Sequence, residues 1–209
     1  MGLDQPRTPA GSPEGGEFAS SGGGGAGGGG GKETNSGTSP GRAAIAKAEA
    51  ADSPHWTAKT ETGFAALADG TSIEISGTKD ALEINPADRK KFRDVTLTHN
   101  HPPGSDTLSG ADVAWARWAD AKEIRAFGTD AKGQRWIATA TRPPGGWPKA
   151  TNVDFMIAYN NASGKDRKSM IPRVAKGELS LDDAFNQSRE KVHLAMAKKF
   201  GFTYERKAA

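Results

Sequence analysis

Fourteen consecutive residues leave this chain few ways to fold: His99-Asn100-His101-Pro102-Pro103-Gly104-Ser105-Asp106-Thr107-Leu108-Ser109-Gly110-Ala111-Asp112. The run before them, Asp94-Val95-Thr96-Leu97-Thr98, mixes β-branched and apolar residues and predicts a strand. Histidines at i and i+2 on that strand point to the same side, so both imidazoles can face one ion. Pro102-Pro103-Gly104 then turns the chain. Ser109 is the expected cap of a helix through Asp112-Val113-Ala114-Trp115-Ala116-Arg117-Trp118. Asp112, three residues after the cap, has the spacing of a capping box with Asp in place of Glu. The same placement can swing its carboxylate back toward the histidines as a third ligand. Two histidines and one carboxylate leave a fourth tetrahedral position open, the arrangement of a catalytic zinc site.

The pattern His-x-His-Pro-x(6)-Ser-x-x-Asp resembles the signature of the JAB/JAMM (MPN+) metallopeptidases, and its local wording is nearest the RadC-like branch. It is similar also to JAB-like domains of phage proteins, including some attached to head-morphogenesis proteins. The wider similarity runs from about Thr60 to Pro148. The resemblance implies an α/β fold: a cytidine-deaminase-like, JAB-type mixed sheet flanked by helices. It implies that His99, His101 and Asp112 hold Zn²⁺, that Ser109 steadies the oxyanion, and that a glutamate on an upstream strand shuttles the proton. In phage-type relatives that glutamate precedes an Asp-Gly hairpin, and Glu61 stands ahead of Asp69-Gly70. Glu61 is therefore preferred, with Glu74 in reserve and Glu83 third. Pro103 and Leu108 depart from the RadC pattern at positions that carry no chemistry. Asp106 is the expected acceptor that orients a histidine.

Residues 1–42 are low in complexity, with a nearly unbroken glycine tract from Gly22 to Gly31, and are expected to act as a flexible tether. Arg42–Ala51 has helix propensity but a thin apolar face. The hydrolase domain is expected over 56–149. There, Thr60–Ala68 and Thr71–Ser76 flank Asp69-Gly70, a hairpin signal. Glu123–Gly128 and Gln134–Thr141 make a second strand pair around Asp130–Gly133, in a sheet of five or six strands. Trp115, Trp118 and Ala119 recur at i, i+3 and i+4, a core-facing stripe rather than a cofactor site. Residues 150–209 read as a basic helical extension, with one helix near Val153–Tyr159 and another capped by Ser180 and stopped by Gly201. His193 sits mid-helix with no acidic or histidine partner at ligand spacing and reads as structural.

The absence of cysteine excludes disulfides and thiolate ligands. No apolar run is long enough to span a membrane, and the N-terminus lacks the apolar core of a signal peptide, so a cytoplasmic location is expected. A zinc metallopeptidase acting on a protein or peptide substrate is the leading function, with a phage or host protein as partner. The alternatives are a DNA-associated role, suggested by the RadC-like wording and the basic tail, and a virion or assembly protein with a non-catalytic metal site. Net charge +3 and the lack of any nucleic-acid-binding motif weigh against the first alternative. The intact signature weighs against the second.

Overall fold

Asp69-Gly70 reverses the chain between β1 (Thr62–Ala66) and β2 (Ser72–Ser76), which pair antiparallel. Gly70 has φ 86°, the left-handed geometry such a turn favours. The structure, a computed structural model, describes residues 39–209. β3 (Thr96–Asn100) lies antiparallel to β1 and parallel to β4 (Glu123–Thr129). A parallel neighbour needs a crossover, and α2 (Gly110–Ala119) supplies it. β5 (Arg135–Thr141) returns antiparallel to β4. The chain then makes α3 (Asn152–Ala175), α4 (Leu181–Phe200) and β6 (Thr203–Ala208), which pairs antiparallel with β5. The result is a mixed α/β fold around one six-stranded sheet of order β2-β1-β3-β4-β5-β6.

The side chains of Ala65, Leu97, Ile124, Ala126, Ala138 and Ala140 line one face of the sheet and pack against Val113, Trp115, Phe155, Val192 and Met196 of α2, α3 and α4. The opposite face takes α1 (Pro40–Glu49) and the short turn Pro54–Thr57, whose Trp56 packs edge-on against Phe127 at 5.0 Å. The thin apolar face of α1 suffices because Ile45 and Ala48 are buried on the sheet, and tertiary packing stabilises short helices more than propensity does.

Two expectations need correcting. Residues 150–209 are not purely helical, since β6 extends the sheet and a boundary at 149 cuts through one layer. Tyr204 is the one buried residue of β6 and the next on that face is Arg206, so its sequence carries no apolar alternation. The tether boundary at 42 also falls inside α1, which Ser39 caps through the Arg42 N–H. Gly41 is buried there, and a β-carbon on it would lie 2.5 Å from the Thr71 carbonyl oxygen. The rest of the expected tether, residues 1–38, lies outside the described residues. Among the described residues no helix is long and apolar enough to cross a membrane.

Candidate metal centre

The β1–β3 register sets Gly63 opposite His99, and Glu61 and His101 each lie two residues beyond that pair, just past the ends of their strands. Asn100, between the histidines, holds Glu61 from both sides. Its side-chain oxygen accepts from the Thr62 N–H at 2.8 Å, and its amide donates to the Thr60 carbonyl at 2.9 Å. His101 leaves the strand with its N–H bonded to the Phe127 carbonyl at 2.8 Å. The turn then lies back over β4, where Gly128 makes room. A β-carbon on Gly128 would come within 2.1 Å of the Ser105 carbonyl oxygen.

Ser109 caps α2 by accepting from the Asp112 N–H at 3.1 Å, while Asp112 Oδ2 accepts from the Ser109 N–H at 2.6 Å. This capping box does not compete with the site. The same carboxylate places Oδ1 at 3.3 Å from His99 Nε2 and Oδ2 at 3.5 Å from His101 Nε2. The two Nε2 atoms are 3.0 Å apart. Glu61 Oε1 stands 3.9 Å from His101 Nε2 and has no hydrogen-bond partner. Glu61, His99 and His101 each bring a ligand-type atom within 4.8 Å of the others, so this buried group could hold a metal ion. All four side chains are at most 2 % exposed.

The electrostatics of the cluster favour positive charge within it. Burial alone would raise the Asp112 carboxyl, but His99 and His101 hold it far below the usual range. Burial opposes an imidazolium at His99, yet the charge and hydrogen bond of Asp112 and the charge of Glu61 leave its pKa raised. His101 goes the other way: burial is the largest influence, the cations His99 and Arg189 add to it, and the ring is held neutral. Burial pushes Glu61 up to about 8, with the Asp112 charge contributing, so at neutral pH it carries a proton unless a cation draws it off.

Of the alternative glutamates, Glu74 on β2 and Glu83 are exposed and do not join the cluster. Asp106 does not orient a histidine. Its carboxylate is taken by Arg206 at 2.5 Å, and that guanidinium also stacks 3.7 Å above the Trp136 ring and pairs with Glu190 at 3.1 Å. Ser105 does what was expected of Asp106: its Oγ lies 3.2 Å from His101 Nδ1 and accepts from Arg189 at 2.9 Å. With Nδ1–H donating to Ser105, His101 presents the Nε2 lone pair to an ion. Asn100 stood in plain view in the motif. Arg189, 84 positions from Ser105, gave no local signal.

The C-terminal elements grip the whole loop. Asn186 donates to the Gly104 carbonyl at 2.9 Å, Tyr204 meets Thr107 at 2.6 Å, and His193 Nε2 donates to the Leu108 carbonyl at 2.8 Å. His193 is stacked on Tyr204 at 5.0 Å, and its Nδ1 has no partner. Burial pushes its pKa down from 6.5 to about 4. Between those values the unfolded chain binds a proton that the folded one refuses, so stability falls as pH drops through that window. Wild type should lose about 2 kcal/mol of unfolding free energy from this group between pH 7 and pH 5. His193→Gln cannot titrate and should show a correspondingly shallower decline in urea denaturation at the two pH values. Equal declines would show that His193 does not titrate in this way.

Compared with protein-family models, curated proteins and solved structures, the chain matches none of them.

Proposed function

We propose that this protein is a zinc-dependent amide hydrolase of the JAB/JAMM kind, cutting a peptide or isopeptide bond in a protein or peptide substrate. The spacing of the buried donors carries the reading. Zinc ligands at about 2.0–2.1 Å in a tetrahedron lie roughly 3.3 Å from one another. The Nε2 atoms of His99 and His101 are 3.0 Å apart, and Asp112 sets Oδ1 3.3 Å from the first and Oδ2 3.5 Å from the second, so one carboxylate faces both rings at about that spacing. Nitrogen and carboxylate donors are a set that zinc accepts, so these three residues would hold it. A zinc ion bound there supplies Lewis acidity and brings the pKa of water toward neutrality. Glu61, set slightly further out at 3.9 Å from His101, takes the proton of the attacking water and returns it to the amine as the C–N bond breaks. Ser109 donates a hydrogen bond to the carbonyl oxygen as negative charge develops on it.

A second reading has one observation in its favour. With every one of the four side chains at most 2 % exposed, the cluster also suits a closed centre that ties β1, β3 and α2 together without turnover. The two readings part on one experiment, turnover of linear-peptide and isopeptide-linked substrates before and after chelation. Hydrolysis that disappears on chelation and returns with added zinc is the expected result. Zinc-loaded protein that cuts neither substrate, yet loses stability on chelation, would favour the closed centre.

A further inference from the structure

Glu61, His99, His101 and Asp112 are at most 2 % exposed, so a peptide reaches them only where a neighbouring element yields. Two neighbours are pinned. Residues 77–82 are tied to Glu61 by backbone bonds: the Glu61 N–H donates to the Thr78 carbonyl at 2.8 Å, the Thr78 N–H to the Ala81 carbonyl at 2.7 Å, and Leu82 is buried. The start of α2 is fixed by its capping box, which includes Asp112 itself. The α3–α4 hairpin is held differently. A cavity of about 30 Å³ adjoins Ser109 and Gly110, and its far side is Arg167 of α3 with Ser188 and Arg189 of α4. A water-sized centre needs about 10–15 Å³ by that measure, so the cavity takes about two waters and no peptide. From Gly164 to Asp183 only Met170 is buried, and thinly packed segments open first. Gly164 weakens α3 at mid-helix, and nothing stands within 4 Å of where its β-carbon would be, so no packing demands a glycine there. Arg167 lies 5.8 Å from the Phe185 ring, which joins the two helices. Asn186 fastens this part of the hairpin to the loop after His101, donating to the Gly104 carbonyl at 2.9 Å.

We propose that residues 164–186 form a lid on the metal centre, closed in this structure, whose opening admits the substrate. α3 yields at Gly164, Asn186 releases the Gly104 carbonyl, and the cavity beside Ser109 widens into a path to the zinc ligands. Those ligands lie at the end of β3 and the start of α2, outside the lid, so they keep their places as it moves. Turnover is then gated by the fraction of molecules with the lid open. A closed lid also accounts for the low exposure of the cluster without making it a purely structural centre. That the opening serves turnover rests on the amide-hydrolase reading; that the hairpin opens does not.

Ser188 can report the opening. It is 2 % exposed, its hydroxyl has no hydrogen-bond partner, and the chain has no cysteine, so Ser188→Cys adds one thiol that a reagent reaches when the walls part. Two rates are measured on the full-length, zinc-loaded protein: modification of that thiol by N-ethylmaleimide and loss of zinc to excess EDTA. Turnover of the peptide and isopeptide-linked substrates is measured in the protein without the added thiol. Slow modification that hardly changes in dilute urea is expected, because a local opening exposes far less surface than unfolding does. Asn186→Ala should speed modification, zinc loss and turnover about fivefold, the worth of one hydrogen bond. Gly164→Ala should slow all three about fourfold, the difference between glycine and alanine inside a helix. Neither residue belongs to the metal cluster. A thiol modified only in urea that unfolds the chain, or rates that neither substitution moves, would overturn the lid. So would unchanged turnover in variants whose modification rates shift, since the substrate would then enter elsewhere. If wild type cuts neither substrate the hydrolase reading fails, and modification and zinc loss still decide whether the lid opens.

Discussion

Glu61→Gln is expected to keep its zinc and its fold while hydrolysis falls by about a hundred- to ten-thousandfold, the usual worth of a general acid–base group. Glutamine preserves the shape of the side chain and the backbone bonds that Asn100 makes on either side of it, but it cannot take a proton from water. At 3.9 Å from His101 Nε2, Glu61 stands further out than Asp112, the proposed third ligand, at 3.5 Å, which is why loss of its charge should spare the metal. Burial pushes its pKa up to about 8, which sets the sign of a second effect. A dication nearby favours the carboxylate, so metal binding should release this proton below pH 8. The measurements are zinc content, turnover and proton release on zinc addition, for wild type, Glu61→Gln and Glu74→Gln. Glu74 is exposed on β2, and its replacement should change none of them. If Glu74→Gln abolished turnover and Glu61→Gln did not, the assignment of the base would be wrong while the metal reading stood.

The ligand substitutions should behave in the opposite way. Purified wild type is expected to carry about one zinc per chain. His99→Ala, His101→Ala and Asp112→Asn should each lose metal and activity together. Asparagine is the better probe at 112, since its side-chain oxygen can still accept from the Ser109 N–H and hold the start of α2. Zinc binds the folded chain and not the unfolded one, so free zinc at about a thousand times its dissociation constant should add roughly 4 kcal/mol of stability. The thermal midpoint of wild type should therefore rise with added zinc, and those of the three variants should not. A combined His99→Ala, His101→Ala, Asp112→Asn variant that still bound zinc as wild type does would overturn the site.

The sequence by itself determined the local pieces. The strand, turn and capped helix from Asp94 to Trp118, the Asp69-Gly70 hairpin, the second strand pair, and the Ser180 and Gly201 ends of α4 rest on interactions between residues a few positions apart. Periodicity and capping report such interactions directly. Side-chain parity along one strand was enough to put His99 and His101 together, and the capping box was enough to aim Asp112.

The choice among three glutamates belonged to the tertiary structure. Which carboxylate meets His101 depends on how β1 registers against β3, and a slip of one residue would turn Glu61 to the other face. The supports of the site were equally invisible. Ser105 and His101 depend on Arg189, the loop that carries them depends on Asn186, His193, Tyr204 and Arg206, and β6 shows as a strand only once β5 is there to pair with it. Each bond that Asn186, Arg189, His193, Tyr204 and Arg206 makes to the loop joins residues 80 or more positions apart, whose meeting is decided by the sheet order and by helix packing, not by any pattern along the chain.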